Sequence, residues 1–306
     1  MVSDKLIRIV GWIFFILLLI GYCLFQRPML LNIYADYGVS DLTIVCLAVV
    51  LCLLPYSLAH RLKLDTAWYS LAFWPGMAII AIICNEHIGW RTIALTAAML
   101  VAWLYLVIKR PRLQLKSLNL NIWSLITAAI LCYTIGNTNL LNHYRHQMQR
   151  YLMAGDYDKV LQVGSRTSDV DSALFNLRAT AIVNTNQLAD KLFHYPVPDK
   201  HNISNINSPD VMLCNLLLQK KLNEFARMLP HIYDTDNQSL PQHYKEALII
   251  YKSRTANPQI TYSNTIIEAN YADFLAEKKR HSSTAESKRK CHDLYGNTYF
   301  WYYHFH

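Results

Sequence analysis

Three acidic residues are the strongest candidates for catalysis in this sequence: Asp36, Asp41 and Glu86. Each lies in a short segment between long apolar runs, where a carboxylate can act as a general base or hold a metal ion. A membrane glycosyltransferase or polymer ligase that acts on a lipid-linked glycan would need such a group outside the cytoplasm. Asp36 and Asp41 also suit a turn and a helix cap, so this enzyme is the alternative interpretation and a non-enzymatic role is preferred.

Histidine and cysteine pairs offer two further kinds of chemistry. His143 and His146 are three residues apart on a predicted helix, a spacing that suits a metal ion, but no Cys or acidic residue follows them closely. We interpret both as residues beside a membrane exit and predict neither a metal site nor another cofactor. Cys214 and Cys291 either form a disulfide or are two buried thiols in separate helices. The sequence contains no CxxC, GxSxG, Walker loop, HExxH or GxGxxG motif.

The apolar runs around these residues predict a membrane region over residues 1–141. Five segments are long enough to cross a bilayer, which takes roughly 20 apolar residues in a helix. They are 7–25, 41–59, 67–85, 90–108 and 120–138. No charged residue lies in the middle of any of them, whereas transporters and proton pumps usually place ionisable groups there. We therefore interpret the five spans as an anchor, and expect Pro55 and Pro75 to kink their helices.

The distribution of basic residues predicts the orientation of these spans. Eight of them fall on one side, and they are Lys5, Arg8, Arg61, Lys63, Lys109, Arg110, Arg112 and Lys116. The loops of the other side offer only Arg27 and Arg91. Because positive loops stay in the cytoplasm, we predict a multi-pass protein of the cytoplasmic (inner) membrane with its N-terminus inside. The net charge of +8 then reflects topology, and no nucleic acid is expected as a partner.

Residues 142–306 are predicted to form an extracytoplasmic (periplasmic) domain of paired helices. The apolar period becomes 3.6, and the second helix of each pair starts near Tyr157, Leu188 and Leu222, in steps of 31 and 34 residues. That spacing is close to the tetratricopeptide repeat, a helix–turn–helix unit of about 34 residues. The predicted fold class is therefore all-α, with about five membrane helices followed by a tetratricopeptide-like α-solenoid.

Six aromatic residues are concentrated in the last eight positions. They are Tyr299, Phe300, Trp301, Tyr302, Tyr303 and Phe305. The last repeat of a solenoid needs a cover for its open core face, and we expect these rings to provide it. An alternative is that they lie at the membrane interface, which Trp and Tyr favour. His304 and His306 are expected to be surface residues.

Several segments also resemble a known family. "DYDKVLQVG", "FNLRATAIVNTNQLADKLFHY", "LPQHYKEALIIY", "TYSNTIIEANYADFL" and "YGNTYFWYYHF" are similar to a domain-of-unknown-function family of Bacteroidota membrane proteins. The resemblance covers most of 144–305 and, more loosely, the span-rich region, and the chain looks shortened between "LFHY" and "LLLQKKL". It implies an inner-membrane protein with a tetratricopeptide-like extracytoplasmic domain. The family has no established activity, so no catalytic residue can be carried over.

These observations favour a binding protein over an enzyme. An α-solenoid offers a concave groove for peptides or partner domains. We expect a membrane-anchored scaffold or assembly protein that binds a protein or peptide on the outer face of the cytoplasmic membrane. Its expected partners are the lipid bilayer and a protein of the cell envelope.

Overall fold

The computed structural model describes residues 4–31, 41–85, 89–109, 117–165, 167, 169–198, 202–204, 206–234, 240–281 and 283–306. The side chains of residues 41–49 and 52 lie outside this description. Every regular element in the described ranges is a helix and none is a strand, so the prediction of an all-α chain is confirmed there. The contacts divide the chain into two compact units, Met1–His146 and Gln147–His306, and each is described by itself.

The first unit consists of long apolar helices. They are α1 (Asp4–Phe25), α2 (Asp41–Arg61), the 3-10 helix Thr66–Phe73 that leads into α3 (Trp74–Ile83), α4 (Trp90–Lys109) and α5 (Ser117–Ile135), followed by the start of α6 (Leu140–Met153). Four stretches are long and apolar enough to cross a membrane: Asp4–Phe25, Thr66–Ile83, Trp90–Lys109 and Ser117–Ile135. They overlap four of the predicted segments, and the fifth, 41–59, lies in α2.

The stretch Thr66–Ile83 forms the centre of this unit. About two thirds of its apolar window (67%) is buried, compared with 17% for α1 and 11% for α4. Leu71, Ala72 and Phe73 are fully buried. By contrast, apolar side chains such as Leu17 on α1 and Val101 on α4 are 64% and 67% exposed. The outer helices therefore bury one face against the centre and leave the other face apolar and uncovered.

This central stretch is not one continuous α-helix. Its first half is a 3-10 helix in which Trp68 has non-helical backbone angles, and α3 begins only at Trp74. Pro75 sits in the first turn of α3, where its missing N–H breaks no hydrogen bond. The expected kink at Pro75 in a helix interior is therefore wrong, because the chain changes helix type just before it.

Asn121 of α5 satisfies backbone groups that this change of helix type leaves open. Its Oδ1 accepts a hydrogen bond from the Ser70 amide at 2.8 Å, and its Nδ2 donates to the Thr66 carbonyl at 2.8 Å. Trp103 of α4 donates from Nε1 to the Leu71 carbonyl at 2.8 Å. Unpaired backbone groups are costly in an apolar surrounding. Two neighbouring helices therefore hold the irregular segment in place.

The second unit begins with the end of α6 and contains nine further α-helices among its described residues. They are α7 (Tyr157–Gln162), α8 (Ser172–Asn184), α9 (Leu188–Lys191), α10 (Pro209–Leu218), α11 (Leu222–Met228), α12 (Gln242–Arg254), α13 (Thr265–Arg280), α14 (Thr284–Tyr295) and α15 (Tyr299–Phe305). Each helix from α7 to α13 packs on the next one in the sequence, whereas α15 packs on α12 and α14. The centre is α12, whose residues from His243 to Tyr251 are buried except Lys245.

Three turns of this unit have the same backbone geometry. Gly155, Asn186 and Lys220 follow α6, α8 and α10, and each has a left-handed φ, of 71°, 55° and 56°. In each turn, the amide of the left-handed residue donates to the carbonyl three residues back, and the next amide donates to the carbonyl five residues back. This is the Schellman motif, in which Gly and then Asn are the favoured residues. Lys220 is therefore an unfavourable residue in the third of three equivalent turns.

Side-chain caps stabilise the starts of α8 and α14. The Asp171 carboxylate accepts from the Leu174 amide at 2.8 Å at the start of α8. The Ser283 hydroxyl accepts from the Glu286 amide at the start of α14. Ser208 precedes α10 without making a side-chain cap bond.

Candidate functional site

The aromatic tail forms α15 and packs against other helices of the second unit. Tyr299, Phe300 and Tyr302 are buried, with exposures of 0%, 1% and 4%, and the other tail aromatics are half-buried. Thr298 caps the helix by accepting from the Trp301 amide. The period of the helix therefore directs three of the six rings into the protein interior.

Two tail tyrosines donate hydrogen bonds to the end of α10. The Tyr299 hydroxyl donates to the Leu217 carbonyl at 3.0 Å, and the Tyr302 hydroxyl donates to the Leu218 carbonyl at 2.8 Å. The last carbonyls of a helix have no partner within that helix. The tail thus supplies hydrogen-bond donors to a helix end that lies more than eighty residues earlier in the sequence.

The start of α15 is also tied to the central helix α12 through a buried carboxyl group. Glu246 is 2% exposed, and its Oε2 accepts from the Tyr299 amide at 2.7 Å. Gln242 donates to Oε1 at 3.0 Å, and Nδ1 of His243 lies 3.2 Å from Oε2. Three donors from two helices therefore converge on one side chain, which repays part of the cost of its burial.

His304 is held in its neutral form between two partners. Lys278 Nζ lies 3.1 Å from Nδ1, and the Tyr271 hydroxyl lies 3.1 Å from Nε2. An ammonium group can only donate, so Nδ1 is the acceptor and Nε2 carries the proton. Burial, together with the positive charges of Lys278, Arg254 and Lys220, lowers the pKa of His304 to about 4. The expectation of a surface residue is wrong for His304, because it is half-buried and bonded on both ring nitrogens.

His306 is likewise not a free surface side chain. It is half-buried, and its Nε2 donates to the Val197 carbonyl at 2.6 Å. Its own backbone oxygen accepts from Lys220 Nζ at 3.1 Å. The two histidines around Phe305 therefore fasten the end of the tail.

A cleft of about 370 Å³ lies beside the half-buried ring of Tyr303. Its walls include Lys220, Lys221, Glu224, Tyr251 and Arg254. Lys220 Nζ is 5.9 Å and Arg254 Cζ is 5.4 Å from the centre of the Tyr303 ring. Partial burial lowers the pKa of Lys220, since a desolvated ammonium group is less stable. Lys221 Nζ lies 3.7 Å from Glu224 Oε1. Glu224 is the one acidic side chain among these wall residues.

The other sequence candidates, Asp36, Asp41, Glu86, His143 and His146, belong to the first unit. Asp36 and Glu86 lie outside the described residues, and Asp41 is the first residue of α2, with a side chain that is also outside them. His143 is buried, and its Nε2 donates to the Asn137 carbonyl at 3.0 Å. His146 is buried in the same helix. Within the described ranges, no three His, Cys, Asp or Glu side chains are grouped as metal ligands.

Cys214 and Cys291 are free thiols in separate helices, α10 and α14, and both are buried. Cys214 Sγ lies 3.6 Å from the Tyr244 hydroxyl. Burial raises the pKa of Cys214 to about 12, so it stays protonated and unreactive. Of the two interpretations, the structure supports the two separate thiols.

Sequence reasoning missed the basic cleft. Lys220, Lys221 and Arg254 were not identified as binding residues from the sequence. One signal was present in the sequence: a lysine stands at the turn position that holds Gly155 and Asn186 in the two earlier helix pairs.

The comparisons with known proteins concern this same region. No curated protein and no solved structure matches the chain. Residues 199–306 match a family of unknown function, DUF6057. This segment contains α10 to α15, and with them the tail and the cleft. The part of the chain that is similar to this family of unknown function is thus residues 199–306.

Proposed function

We propose that the protein is a multi-pass protein of the cytoplasmic membrane that works as a scaffold or assembly factor. Its helical domain binds a protein or peptide partner on the outer face of that membrane. The observation that carries this proposal is the contrast between the two units. One has outward-facing apolar side chains on long helices, and the other is a compact helical unit with polar surface.

The uncovered faces of α1 and α4 support a lipid environment. Side chains such as Leu17, Leu24 and Val101 are about two-thirds exposed in the isolated chain. A soluble protein rarely leaves such large contiguous apolar patches in water. A bilayer would cover them, and the helix lengths match its thickness of ~30 Å.

The equivalent turns support a repeat architecture for the second unit. Gly155, Asn186 and Lys220 are 31 and 34 residues apart, close to the length of a tetratricopeptide unit. Sequential packing from α7 to α13 is the pattern expected of a stacked solenoid. Such a stack presents a concave surface to a peptide or a partner domain. The proposal includes membership of the Bacteroidota membrane-protein family that the sequence resembles.

The topology is tested with reporters that are active only outside the cytoplasm. A fusion after His306 should be active, and a fusion within residues 110–116 should be silent. The eight basic residues on the predicted inner side are the reason for this expectation. The reverse pattern would place the helical unit in the cytoplasm and refute the proposal.

The partner is tested by crosslinking the full chain in intact cells and isolating the complexes. A scaffold should give a defined complex of constant composition, and a chain truncated after residue 146 should lose it at equal membrane abundance. Identical crosslinked products from both chains would show that the helical unit is not the binding part.

A further inference from the structure

The charged residues around the cleft in the second unit are unbalanced. Lys220, Lys221 and Arg254 line it, and Glu224 is the one acidic side chain among the lining residues. The walls therefore carry a formal charge of +2 near neutral pH. The cleft volume of about 370 Å³ falls in the range of small-molecule sites, roughly 300–1,000 Å³.

Lys220 is placed in this cleft at a conformational cost. It occupies a left-handed turn position that Gly and Asn occupy in the two equivalent turns, and a longer side chain is disfavoured there by about 1 kcal/mol. Its ammonium group is also partly desolvated. Within the described ranges no side-chain carboxylate lies within ion-pairing distance of Lys220 or Arg254. Lys220 Nζ donates to the His306 backbone oxygen at 3.1 Å, and both cations also lie against the Tyr303 ring.

The cations of the cleft also act on His304. Burial lowers the pKa of His304 most, and the positive charges of Lys278, Arg254 and Lys220 lower it as well.

We propose that the cleft binds the dianionic phosphate group of a phosphate monoester. Such a group carries about −1.5 to −2 charges near pH 7, which matches the charge of the walls. Arg254 offers a planar fork of donors to two phosphate oxygens, and Lys220 and Lys221 act as point charges. A carboxylate or a phosphodiester, with one negative charge, would leave one positive charge uncompensated. This inference goes beyond the scaffold proposal and stands without it.

The rest of the ligand meets the half-buried Tyr303 ring, since Tyr251 is only 3% exposed. The phosphate can belong to a free small molecule or to the headgroup of a lipid with a terminal phosphate. The experiment separates these two sources.

The test uses the full chain in a non-ionic detergent and isothermal titration calorimetry. The probes are methyl phosphate, glucose 1-phosphate, dimethyl phosphate and glucose. We expect methyl phosphate and glucose 1-phosphate to bind saturably, with one molecule bound per chain. Dimethyl phosphate should bind at least about tenfold more weakly, and glucose should not bind. A parallel arm measures the chain in phosphatidylcholine nanodiscs with and without phosphatidic acid. Binding that appears only with phosphatidic acid assigns the phosphate to a lipid.

Two variants tie the binding to the cleft. Lys220→Asn keeps the left-handed turn, because Asn186 already occupies the equivalent position, and removes the cation. Arg254→Gln changes an exposed side chain and leaves the core untouched. Each should weaken monoester binding about tenfold or more, and their thermal unfolding shows that the fold persists. Lys279→Asn removes one positive charge from an exposed site outside the cleft and should leave affinity within about twofold.

Three results would overturn the assignment. One is the absence of saturable binding by any monoester or by phosphatidic acid. Another is equal affinity for methyl phosphate and dimethyl phosphate. The last is binding that Lys220→Asn and Arg254→Gln weaken no more than Lys279→Asn does.

Discussion

Removing one tail hydroxyl, in Tyr302→Phe, should destabilise the helical unit by a measurable amount. Among the described residues, the Leu218 carbonyl accepts a hydrogen bond only from this hydroxyl. Phe keeps the ring in place and leaves that carbonyl buried without a partner. Such a group costs about 1–3 kcal/mol, which shifts the melting temperature by about 2–4 °C per kcal/mol in a unit of this size.

Two neighbouring tyrosines serve as graded controls. Tyr299→Phe should cost less, about 1 kcal/mol, because the Leu217 carbonyl also accepts from the Lys220 amide. Tyr303→Phe should cost close to nothing, since the Tyr303 ring is half-buried and donates no hydrogen bond among the described residues. The expected order of destabilisation is therefore Tyr302, then Tyr299, then Tyr303.

The assay is thermal unfolding of the full chain in detergent micelles, followed by near-ultraviolet circular dichroism, with limited proteolysis as a second readout. Equal melting temperatures for Tyr302→Phe and Tyr303→Phe would refute the reasoning. That result would mean that the tail does not complete the end of α10. The membrane interface would then be the better explanation for its aromatic residues.

Three further predictions concern other parts of the chain. The pKa of His304 is about 4 in the folded state and about 6.5 when unfolded, so acidification through that window should remove stability, by roughly 1–2 kcal/mol because solvent screens the half-exposed ring. Chemical denaturation at several pH values should show this loss, and His304→Gln, which stays neutral, should flatten it. Asn121→Leu should destabilise the first unit by roughly 2–4 kcal/mol, whereas exposed Asn119→Leu should not, as measured by detergent denaturation. Replacing all three candidate carboxylates of the loops by amides should leave surface glycans unchanged at equal protein level, and a glycan defect would favour the transferase alternative.

The helices of this protein are readable from the sequence because their signals are local. Apolar runs mark the long helices of the first unit, and the 3.6-residue period marks those of the second. The type of helix within an apolar run is harder to predict from the sequence. The sequence predicts one span over residues 67–85, but hydropathy does not distinguish a 3-10 helix from an α-helix. The role of Asn121 depends on a contact with another helix.

The cleft and the tail contacts were also hard to predict, because they depend on contacts between helices that are far apart in the sequence. Lys220, Arg254 and Tyr303 come from a turn and two helices that are far apart in the sequence. Each is unremarkable alone, and their convergence depends on how α12 and α15 pack. His304 was expected at the surface because it lies close to the C-terminal end of the sequence. In the structure His304 contacts Lys278 of α13, and the periodicity of the sequence does not predict this contact.

The tyrosine contacts with α10 also constrain the order in which the domain is completed during synthesis. The partners in these two hydrogen bonds are 82 and 84 residues apart in the sequence. The ribosome releases the end of α10 long before it releases Tyr299 and Tyr302. During that interval the last turn of α10 and the buried face that receives the tail are open to proteases and chaperones. A chain that stalls between these points carries an unfinished domain, and a quality-control protease can recognise it by that open helix end.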